Sequence, residues 1–363
     1  MRVAIDAIPL LIRSAGVKNY LYYWIDHLRR LAGTDAIRTF PSMPHLGPLR
    51  HDGSIAPGWT TLKGLASLAA ANYSPAPILD WSSRGANVFH ATNLVRHPPQ
   101  RVRLTATIHD MTSWLLPELH PSANIRADQN FVELMRRADG LIAVSASTKN
   151  DAVRLAGIAP EKVTVIHSGI PAAFFEPAGV EDVRKRYRLT RPFVLFIGTI
   201  EPRKNLDILF DAYGALPDTV RREFELVIAG PIGWASAATR ARLQEFRHLG
   251  YLPEADIAPL TAAATVFAYP SLYEGFGFPV VQAMAAGAPV VTSNVSSLPE
   301  VTGDAAVLVD PRSSSELRDA LCRMLLSPEL RADLAARGRA RAEAFRWEKC
   351  AAESLRFFER IAG

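Results

Sequence analysis

The sequence predicts an α/β protein of two domains, each built on a parallel β-sheet. Its 363 residues exceed the roughly 250–300 residues that a single hydrophobic core usually reaches. Strand-like apolar runs alternate with helical patterns along the whole chain, which favours parallel sheets with helical crossovers. A Pro- and Gly-rich segment at 168–179 is the best linker candidate between two similar halves.

Five predicted strands lie in each half of the chain. In the first half they are RVAIDAI, ANVFHAT, RLTATIHD, GLIAVS and KVTVIHS. In the second half they are PFVLFIGT, FELVIAG, TVFAYPS, APVVTS and AAVLVD. Helical patterns between the strands predict helices at 205–214, 237–249, 278–286 and 315–326.

Two amphipathic helices are predicted at the ends of the chain. The helix at 17–32 has one apolar face, formed by Val17, Tyr20, Leu21, Trp24, Leu28 and Leu31. We favour a core-facing role for this helix, with a membrane-lying helix as the alternative. The last segment is helical with apolar residues at Trp347, Ala351, Leu355 and Phe358, and it needs a surface to pack on.

Composition indicates a cytoplasmic globular protein. No apolar run is long enough to span a bilayer, and Asp6 and Arg13 interrupt the N-terminal apolar stretch, so a signal peptide is not expected. The two cysteines, Cys322 and Cys350, have neither metal-ligand nor disulfide-framework spacing.

The net charge of +5 resides in the first 180 residues, and the remainder is neutral. The first half is therefore the half expected to meet an anionic partner, either a membrane surface or a phosphorylated acceptor. No basic block is interleaved with stacking aromatic residues, so nucleic acid is not an expected partner.

Ligands of open parallel sheets bind beyond the carboxyl ends of the strands. At such an end, TIEPRKN places Arg203 and Lys204 after one strand, and LYEGFG places Glu274 after another. Gly275 and Gly277 allow close approach of the backbone to a ligand, and a helix whose N-terminus attracts anions follows. A carboxylate for hydroxyls, with cations and a helix end for phosphate, indicates a nucleoside diphosphate sugar.

Each of these signals also has a structural explanation. The Arg-Lys pair could be a solvated turn, Glu274 could cap the following helix, and Phe276 could be a core residue in a plain turn. Their occurrence together at the strand ends of one sheet favours the ligand site.

Several segments closely resemble the retaining glycosyltransferases of family 4, and the resemblance spans nearly the entire chain. The segments FIGTIEPRKNLDILFDAY, YPSLYEGFGFPVVQAMAAGAPVVTSNVSSLPEV and GDAAVLVDP carry it in the second half. In the first half, TIHDMTSWLLPE, ADGLIAVSASTKNDAV and EKVTVIHSGI resemble the bacterial mannosyltransferase-like branch.

The resemblance implies the GT-B fold, with two facing Rossmann-like domains. Residues 1–170 would form an acceptor-binding domain, residues 171–345 a nucleotide-sugar-binding domain, and residues 346–363 a helix that returns to the first domain. The reaction would lie in the cleft, and closure about a hinge near 168–179 is expected.

The resemblance also assigns roles to individual residues. Glu274 would contact donor sugar hydroxyls, and Arg203 and Lys204 would neutralise the leaving diphosphate. His109 would lie beside the anomeric centre, so the expected catalytic residues are His109, Glu274, Lys204 and Arg203. His90, by contrast, is interpreted as structural.

Further donor-binding residues follow from the same resemblance. The backbone amides of Gly275, Phe276 and Gly277 would hold sugar and phosphate, and Tyr251 and Leu252 would meet the nucleobase. Three more positions depart from the family pattern. Gly16 lies in a glycine-poor version of the phosphate loop, Thr199 follows a strand-end glycine where many members have arginine, and Gln282 replaces the usual second glutamate at the ribose.

The expected reaction is transfer of a hexose, with retained configuration, from a nucleotide sugar to a hydroxyl of a glycan or lipid-linked acceptor. GDP-mannose is the preferred donor by resemblance, UDP-sugars stay open, and neither a metal nor another cofactor is expected. Peripheral contact with the inner face of the membrane is a further expectation.

The alternatives are another GT-B enzyme (an epimerase or a phosphorylase) and an inactive nucleotide-sugar-binding protein. An oxidoreductase is disfavoured because the dinucleotide fingerprint is missing.

Overall fold

The computed structural model describes residues 1–13, 16–51, 53–74 and 77–363, apart from the side chains of residues 123, 124 and 127. The chain divides into two compact units. Unit 1 consists of Met1–Gly169 and Trp347–Gly363, and unit 2 consists of Ile170–Arg346.

Unit 1 is built on a six-stranded parallel sheet in the order β2-β1-β3-β4-β5-β6. The strands are β1 (Val3–Asp6), β2 (Ile37–Phe40), β3 (Val88–Ala91), β4 (Arg103–Ile108), β5 (Gly140–Ala143) and β6 (Val163–Val165). The helices are α1 (Gly16–Ala32), α2 (Gly58–Tyr73), α3 (Ile78–Ser82), α4 (Thr112–Leu115), α5 (Ser122–Arg137), α6 (Ala146–Ala156) and α16 (Trp347–Ala362).

Unit 2 has a second six-stranded parallel sheet in the order β12-β11-β10-β7-β8-β9. The strands are β7 (Phe193–Ile197), β8 (Glu225–Ala229), β9 (Arg247–His248), β10 (Val266–Tyr269), β11 (Val290–Ser293) and β12 (Ala306–Val309). The helices are α7 (Val180–Arg186), α8 (Leu206–Gly214), α9 (Asp218–Glu223), α10 (Ala237–Leu243), α11 (Glu254–Ala262), α12 (Phe278–Ala285), α13 (Leu298–Thr302), α14 (Ser314–Leu326) and α15 (Pro328–Ala342).

The predicted α/β class with parallel sheets is confirmed, and each of the ten predicted strands is present. Sequence reasoning missed two strands, β2 and β9, which both lie at sheet edges. The helix predicted over 237–249 is wrong at its C-terminal end. It ends at Leu243, and Arg247 and His248 pair with β8 as an edge strand.

The terminal helix α16 packs on α1 within unit 1, as the sequence predicted. The indole nitrogen of Trp24 donates to Ser354 Oγ at 2.9 Å, and the ring of Trp24 lies 5.8 Å from that of Phe358. The apolar face of α1 is buried at Tyr20 and Trp24, so α1 is a core-facing helix. Leu31, predicted on the same face, is instead exposed, because it lies in the last turn of the helix, beyond the buried part of that face.

Close backbone packing fixes the chain where unit 1 ends. A Cβ atom at Gly169 would collide with the indole ring of Trp347, so only glycine fits there. In unit 2, the backbone amide of Ile170 donates to the carbonyl of Phe345 at 2.7 Å. The segment predicted as a linker, 168–179, thus contains the boundary between the units and a short 3-10 turn, Ala172–Phe174.

Candidate active site

A buried carboxylate lies at the carboxyl edge of the sheet in unit 2. Glu274 follows β10 and is almost completely shielded from solvent. Its Oε1 accepts from Lys204 Nζ at 2.6 Å and from Ser271 Oγ at 2.7 Å, and its Oε2 lies 3.1 Å from Arg203 Nη1. The predicted catalytic residues of the second half therefore form one cluster, which we call the Glu274 cluster: Glu201, Arg203, Lys204, Ser271 and Glu274.

The backbone after β7 presents both cations to this carboxylate. Pro202 begins a single 3-10 turn, Pro202–Lys204, and Asn205 ends it in the left-handed conformation, with φ of 58°. The Asn205 side chain then donates to the carbonyl of Pro311 at 2.7 Å, which fixes the end of the turn. Lys204 is buried by this geometry, with its Nζ 5.2 Å from the centre of the Tyr269 ring.

The charges of the Glu274 cluster balance one another. Glu201 Oε1 accepts from Arg203 Nη2 at 2.8 Å, so two carboxylates face two cations. Burial alone would raise the pKa of Glu274, but Arg203 and Lys204 outweigh it and lower that pKa to about 2. The pKa of Lys204 is lowered, first by burial and then by Arg203 beside it. Glu274 is accordingly ionised at any physiological pH.

The helix α12 begins directly beside the cluster. Gly277 is its N-cap with φ of 93°, a conformation that a side chain rarely adopts. Pro279 lies in the first turn, where its missing N–H leaves no helical bond unmade. Phe276 is buried between Phe278 and Phe345, at ring-centre distances of 5.1 and 5.6 Å. Phe276 is thus a core residue, and its backbone, with that of Gly275 and Gly277, lies at the N-terminal end of the helix.

Gln282 lies one turn into α12 and is half-buried. Its backbone carbonyl accepts from Ala286 at 2.9 Å in the normal helical manner. Its assignment to the ribose of the donor stays a prediction.

Three glycines bring the loops after β7, β8 and β9 together. The Gly198 amide donates to the Ala229 carbonyl at 3.0 Å, and the Gly230 amide donates to the Gly250 carbonyl at 2.7 Å. A Cβ at Gly230 would collide with the Gly198 carbonyl, so the loops could not approach one another with a larger residue there.

The remaining donor-site candidates of unit 2 lie on these loops. Thr199 is half-buried. Its Cγ2 lies 2.8 Å from the position that a Cβ atom at Gly233 would take. Tyr251 is exposed, whereas Leu252 is buried. Only Tyr251 of that pair therefore presents its side chain to solvent.

The candidates of unit 1 lie at the carboxyl edge of the other sheet and at the start of α1. His109 follows β4 and packs edge-on against Tyr20, with ring centres 4.8 Å apart. Burial lowers the pKa of His109 to about 4, opposed only in part by Asp110, so its imidazole is neutral near pH 7. Gly16 is the exposed first residue of α1, and Ser14 and Ala15 before it lie outside the described residues.

His90 has the structural role expected of it. Its Nδ1 and Nε2 each lie 3.0 Å from a threonine hydroxyl, of Thr105 and Thr107 respectively. Burial, followed by the proximity of His109, lowers the pKa of His90 to about 3. A neutral imidazole with both nitrogens satisfied is a stable core residue.

Sequence reasoning missed the serines that hold the Glu274 segment in place. Ser271 bonds its carboxylate, while Ser297 Oγ donates to the Glu274 carbonyl at 2.9 Å. The Ser296 hydroxyl accepts from the Glu274 amide at 2.9 Å. Their only signal in the sequence is their position, because each follows the C-terminus of a strand, as Glu274 does.

The part of the chain that the structure describes contains neither a metal-ligand cluster nor a membrane-spanning helix. No group of three or more His, Cys, Asp or Glu side chains could hold a metal ion there. Within those same residues, no helix is both long and apolar enough to cross a membrane.

Comparison with known proteins shows the family of the chain. Residues 180–341 match the glycosyl transferases group 1 family, and residues 14–174 match Glycosyltransferase Family 4. Over 283 residues the chain is 33% identical to O-antigen chain mannosyltransferase B of Escherichia coli, covering 75% of this chain and 74% of that protein.

Solved structures show the same fold over almost the entire chain. Sucrose-phosphate synthase from Thermosynechococcus elongatus matches with a TM-score of 0.74 at 20% identity, covering 99% of both chains. Anabaena Alr3699/HepE, solved in complex with UDP and glucose, matches with a TM-score of 0.72 at 20% identity, covering 99% of this chain and 100% of that one. The expected GT-B fold is confirmed. The chain belongs to the glycosyltransferases of family 4, in their bacterial mannosyltransferase-like branch.

Proposed function

We propose that this glycosyltransferase moves mannose from GDP-mannose to a hydroxyl of a glycan or lipid-linked acceptor, with retention of the anomeric configuration. Mannose is favoured by the 33% identity to an O-antigen chain mannosyltransferase. We further propose that it is a cytoplasmic enzyme in peripheral contact with the inner face of the membrane through the basic first unit.

The observation that carries the proposal is the buried carboxylate of Glu274 between Lys204 and Arg203. An ionised carboxylate is a strong acceptor for sugar hydroxyls, and it would repel a phosphate placed directly on it. The two cations and the N-terminus of α12 are the groups suited to the diphosphate. Glu274 would therefore orient the hexose, and its neighbours would orient the diphosphate.

Bond cleavage in this proposal depends on stabilising the leaving group. Negative charge develops on the diphosphate as the bond to the anomeric carbon breaks. Arg203, Lys204 and the α12 amides would stabilise that charge without a divalent cation, because they are already held in place before the reaction. His109, as a neutral imidazole, would offer a hydrogen bond near the anomeric centre and would not add a positive charge there.

The donor's nucleoside would be bound by the other residues assigned to the site. Gln282 would face the ribose, Tyr251 and Leu252 the base, and Thr199 and Gly16 the phosphates. The Tyr251 ring is exposed and can be covered by a base, whereas the buried Leu252 would contribute mainly by shaping the loop.

Transfer from a labelled donor to a panel of mannoside acceptors tests the proposal. We expect GDP-mannose, and not UDP-glucose, to support transfer, and the α-linked product expected of retention can be identified from one-bond carbon–proton couplings. Asp319→Ala is the matched control for Glu274→Ala, because Asp319 is an exposed acid of unit 2 that pairs with the neighbouring Arg318. Epimerisation of the donor or phosphate-dependent release would favour another GT-B activity, and binding without turnover would indicate an inactive protein.

A further inference from the structure

The helix α2 carries an exposed apolar stripe that the active site does not explain. Trp59 and Leu62 are 65% and 59% exposed near its start, and Tyr73 is 76% exposed at its end. Trp81, in the following helix α3, is 56% exposed. Isolated apolar side chains on a surface are ordinary, but here four large ones occur within 23 residues.

The exposed residues of α2 follow a single line along the helix. Trp59, Leu62, Ala66, Ala69 and Tyr73 are separated by alternating steps of three and four residues, and all five are exposed. These steps place them on one side of an α-helix. We call this surface the α2 stripe: Trp59, Leu62, Ala66, Ala69 and Tyr73.

The opposite side of α2 attaches the helix to unit 1. Gly64 is buried against Pro41 and Leu11, and a Cβ there would lie 2.7 Å from the Pro41 ring. At 100° per residue, Gly64 lies on the far side of the helix from Leu62 and Tyr73. The apolar stripe therefore faces away from the body of the unit.

Two polar side chains of α2, Asn72 and Thr61, are bonded to neighbouring parts of the protein. Asn72 donates to the Leu94 carbonyl at 2.8 Å and accepts from the Arg96 amide at 2.9 Å. The Thr61 and Ser54 hydroxyls are 2.6 Å apart. An ordinary surface helix presents mainly polar residues to solvent, whereas the most exposed line of α2 is apolar. An exposed apolar line of this kind indicates a surface that binds an apolar environment.

Cations lie beside the aromatic residues of the stripe. Lys63 Nζ is 4.9 Å from the centre of the Trp59 ring, and the Arg96 guanidinium is 5.0 Å from that of Tyr73. Helix α2 has no acidic residue, and the first 180 residues carry the net charge of +5. The acid beside Trp81, Asp80, already accepts from the backbone amides of Gln100 and Arg101. Tryptophan and tyrosine flanked by cations match the interface of an anionic bilayer.

We propose that α2 lies on the surface of a membrane containing anionic lipids, with the α2 stripe in the headgroup region. The helix α1, considered above as a membrane-lying helix, cannot take this role, because its apolar face is buried against α16. The proposal names the surface for the peripheral contact proposed above. Its test needs neither donor nor acceptor, so membrane binding and transfer activity can fail separately.

Co-sedimentation with phosphatidylglycerol–phosphatidylcholine vesicles tests the stripe. We expect binding to these vesicles and much weaker binding to pure phosphatidylcholine. The triple variant Trp59→Ser/Leu62→Ser/Tyr73→Ser should lose about tenfold or more of the affinity, because it removes the apolar area that would be buried. Leu31→Ser is the matched control, since Leu31 is 53% exposed on α1 of the same unit, and it should bind as the wild type does.

A second measurement does not depend on a triple variant that stays folded. Brominated acyl chains should quench the protein's tryptophan fluorescence in anionic vesicles, and Trp59→Phe should reduce that quenching while binding persists. The proposal is overturned if the wild type does not bind anionic vesicles, or if a folded triple variant binds them with unchanged affinity. Dimerisation through the stripe, seen by sedimentation without vesicle binding, would also overturn it.

Discussion

Lys204 and Glu274 lie seventy residues apart in the sequence and form an ion pair of 2.6 Å, shielded from solvent at the edge of the unit 2 sheet. The pair joins the turn after β7 to the segment between β10 and α12. It therefore holds in register the two loops to which we assign donor binding.

Removing one member of this pair should cost both stability and activity. Lys204→Met leaves the Glu274 carboxylate buried with one cation fewer, so we expect a loss of about 3 kcal/mol in the free energy of unfolding. Turnover should be abolished as well. Denaturation in urea and a transfer assay measure the two effects.

The double variant Lys204→Met/Glu274→Gln separates the two losses. It removes both charges, so much of the stability should return, while turnover should stay absent. Recovery of activity in the double variant would show that the pair is structural only. Asp319→Ala, which removes an exposed acid, should change neither quantity.

The stability that His90 provides should depend on pH. Its pKa is about 3 in the folded protein and near 6.5 in the unfolded chain, so the unfolded state takes up the proton first as pH falls. The contribution of neutral His90 is thus complete above pH 6.5 and decreases below it, by about 1.4 kcal/mol per pH unit.

The comparison with His90→Gln isolates this effect. The difference in unfolding free energy between wild type and variant should shrink steadily between pH 6.5 and pH 4. Urea denaturation at half-unit pH steps measures it, and comparison of the two proteins cancels other titrating groups such as Asp6, whose pKa burial raises to about 6. A difference that stays constant over this range would contradict the assignment of a neutral, buried imidazole.

Gly277→Ala should destabilise the start of α12. The backbone there has φ of 93°, and a Cβ would lie 2.8 Å from Leu298 Cδ2. We expect a loss of about 1–2 kcal/mol and weaker donor binding, measured by chemical denaturation and calorimetry. Gly214→Ala is the matched control, because nothing lies within 4 Å of its Cβ position at the end of α8, and its stability should not decrease. Equal effects at the two glycines would contradict this account.

Gln282→Glu should tighten nucleotide binding. A carboxylate makes a charge-assisted bond to a ribose hydroxyl, stronger than the amide's by about 1–2 kcal/mol, which corresponds to roughly tenfold in affinity. Calorimetric titration with the nucleoside diphosphate measures the change, while the rate of transfer at saturating donor should stay the same. Unchanged affinity would mean that Gln282 does not face the ribose.

Sequence reasoning succeeded where burial dominates. The central strands of both sheets are short, fully buried and mostly apolar runs, and these are distinctive in a sequence. The edge strands β2 and β9 were missed because Arg38, Arg247 and His248 interrupt their apolar pattern. A two-residue strand such as β9 is defined by its partner more than by its own residues.

For the candidate site, the sequence identified the charged residues and not their arrangement. The strand-end position pointed to Glu274, Arg203 and Lys204, but their mutual ion pairs required the fold. Serines such as Ser271 and Ser297 are common in loops, so their sequence signal is weak. The exposed apolar stripe of α2 was missed as well, because a periodic pattern does not reveal which side of a helix faces the protein.

The most direct test of the central claim is release of nucleotide and transfer of sugar from GDP-mannose by the wild type and by Glu274→Ala. The wild type should transfer mannose to a mannoside acceptor, and Glu274→Ala, folded by circular dichroism, should show no measurable transfer. If no GDP- or UDP-sugar is bound or turned over by the wild type, or if Glu274→Ala is fully active, the assignment of the Glu274 cluster to the donor sugar is wrong.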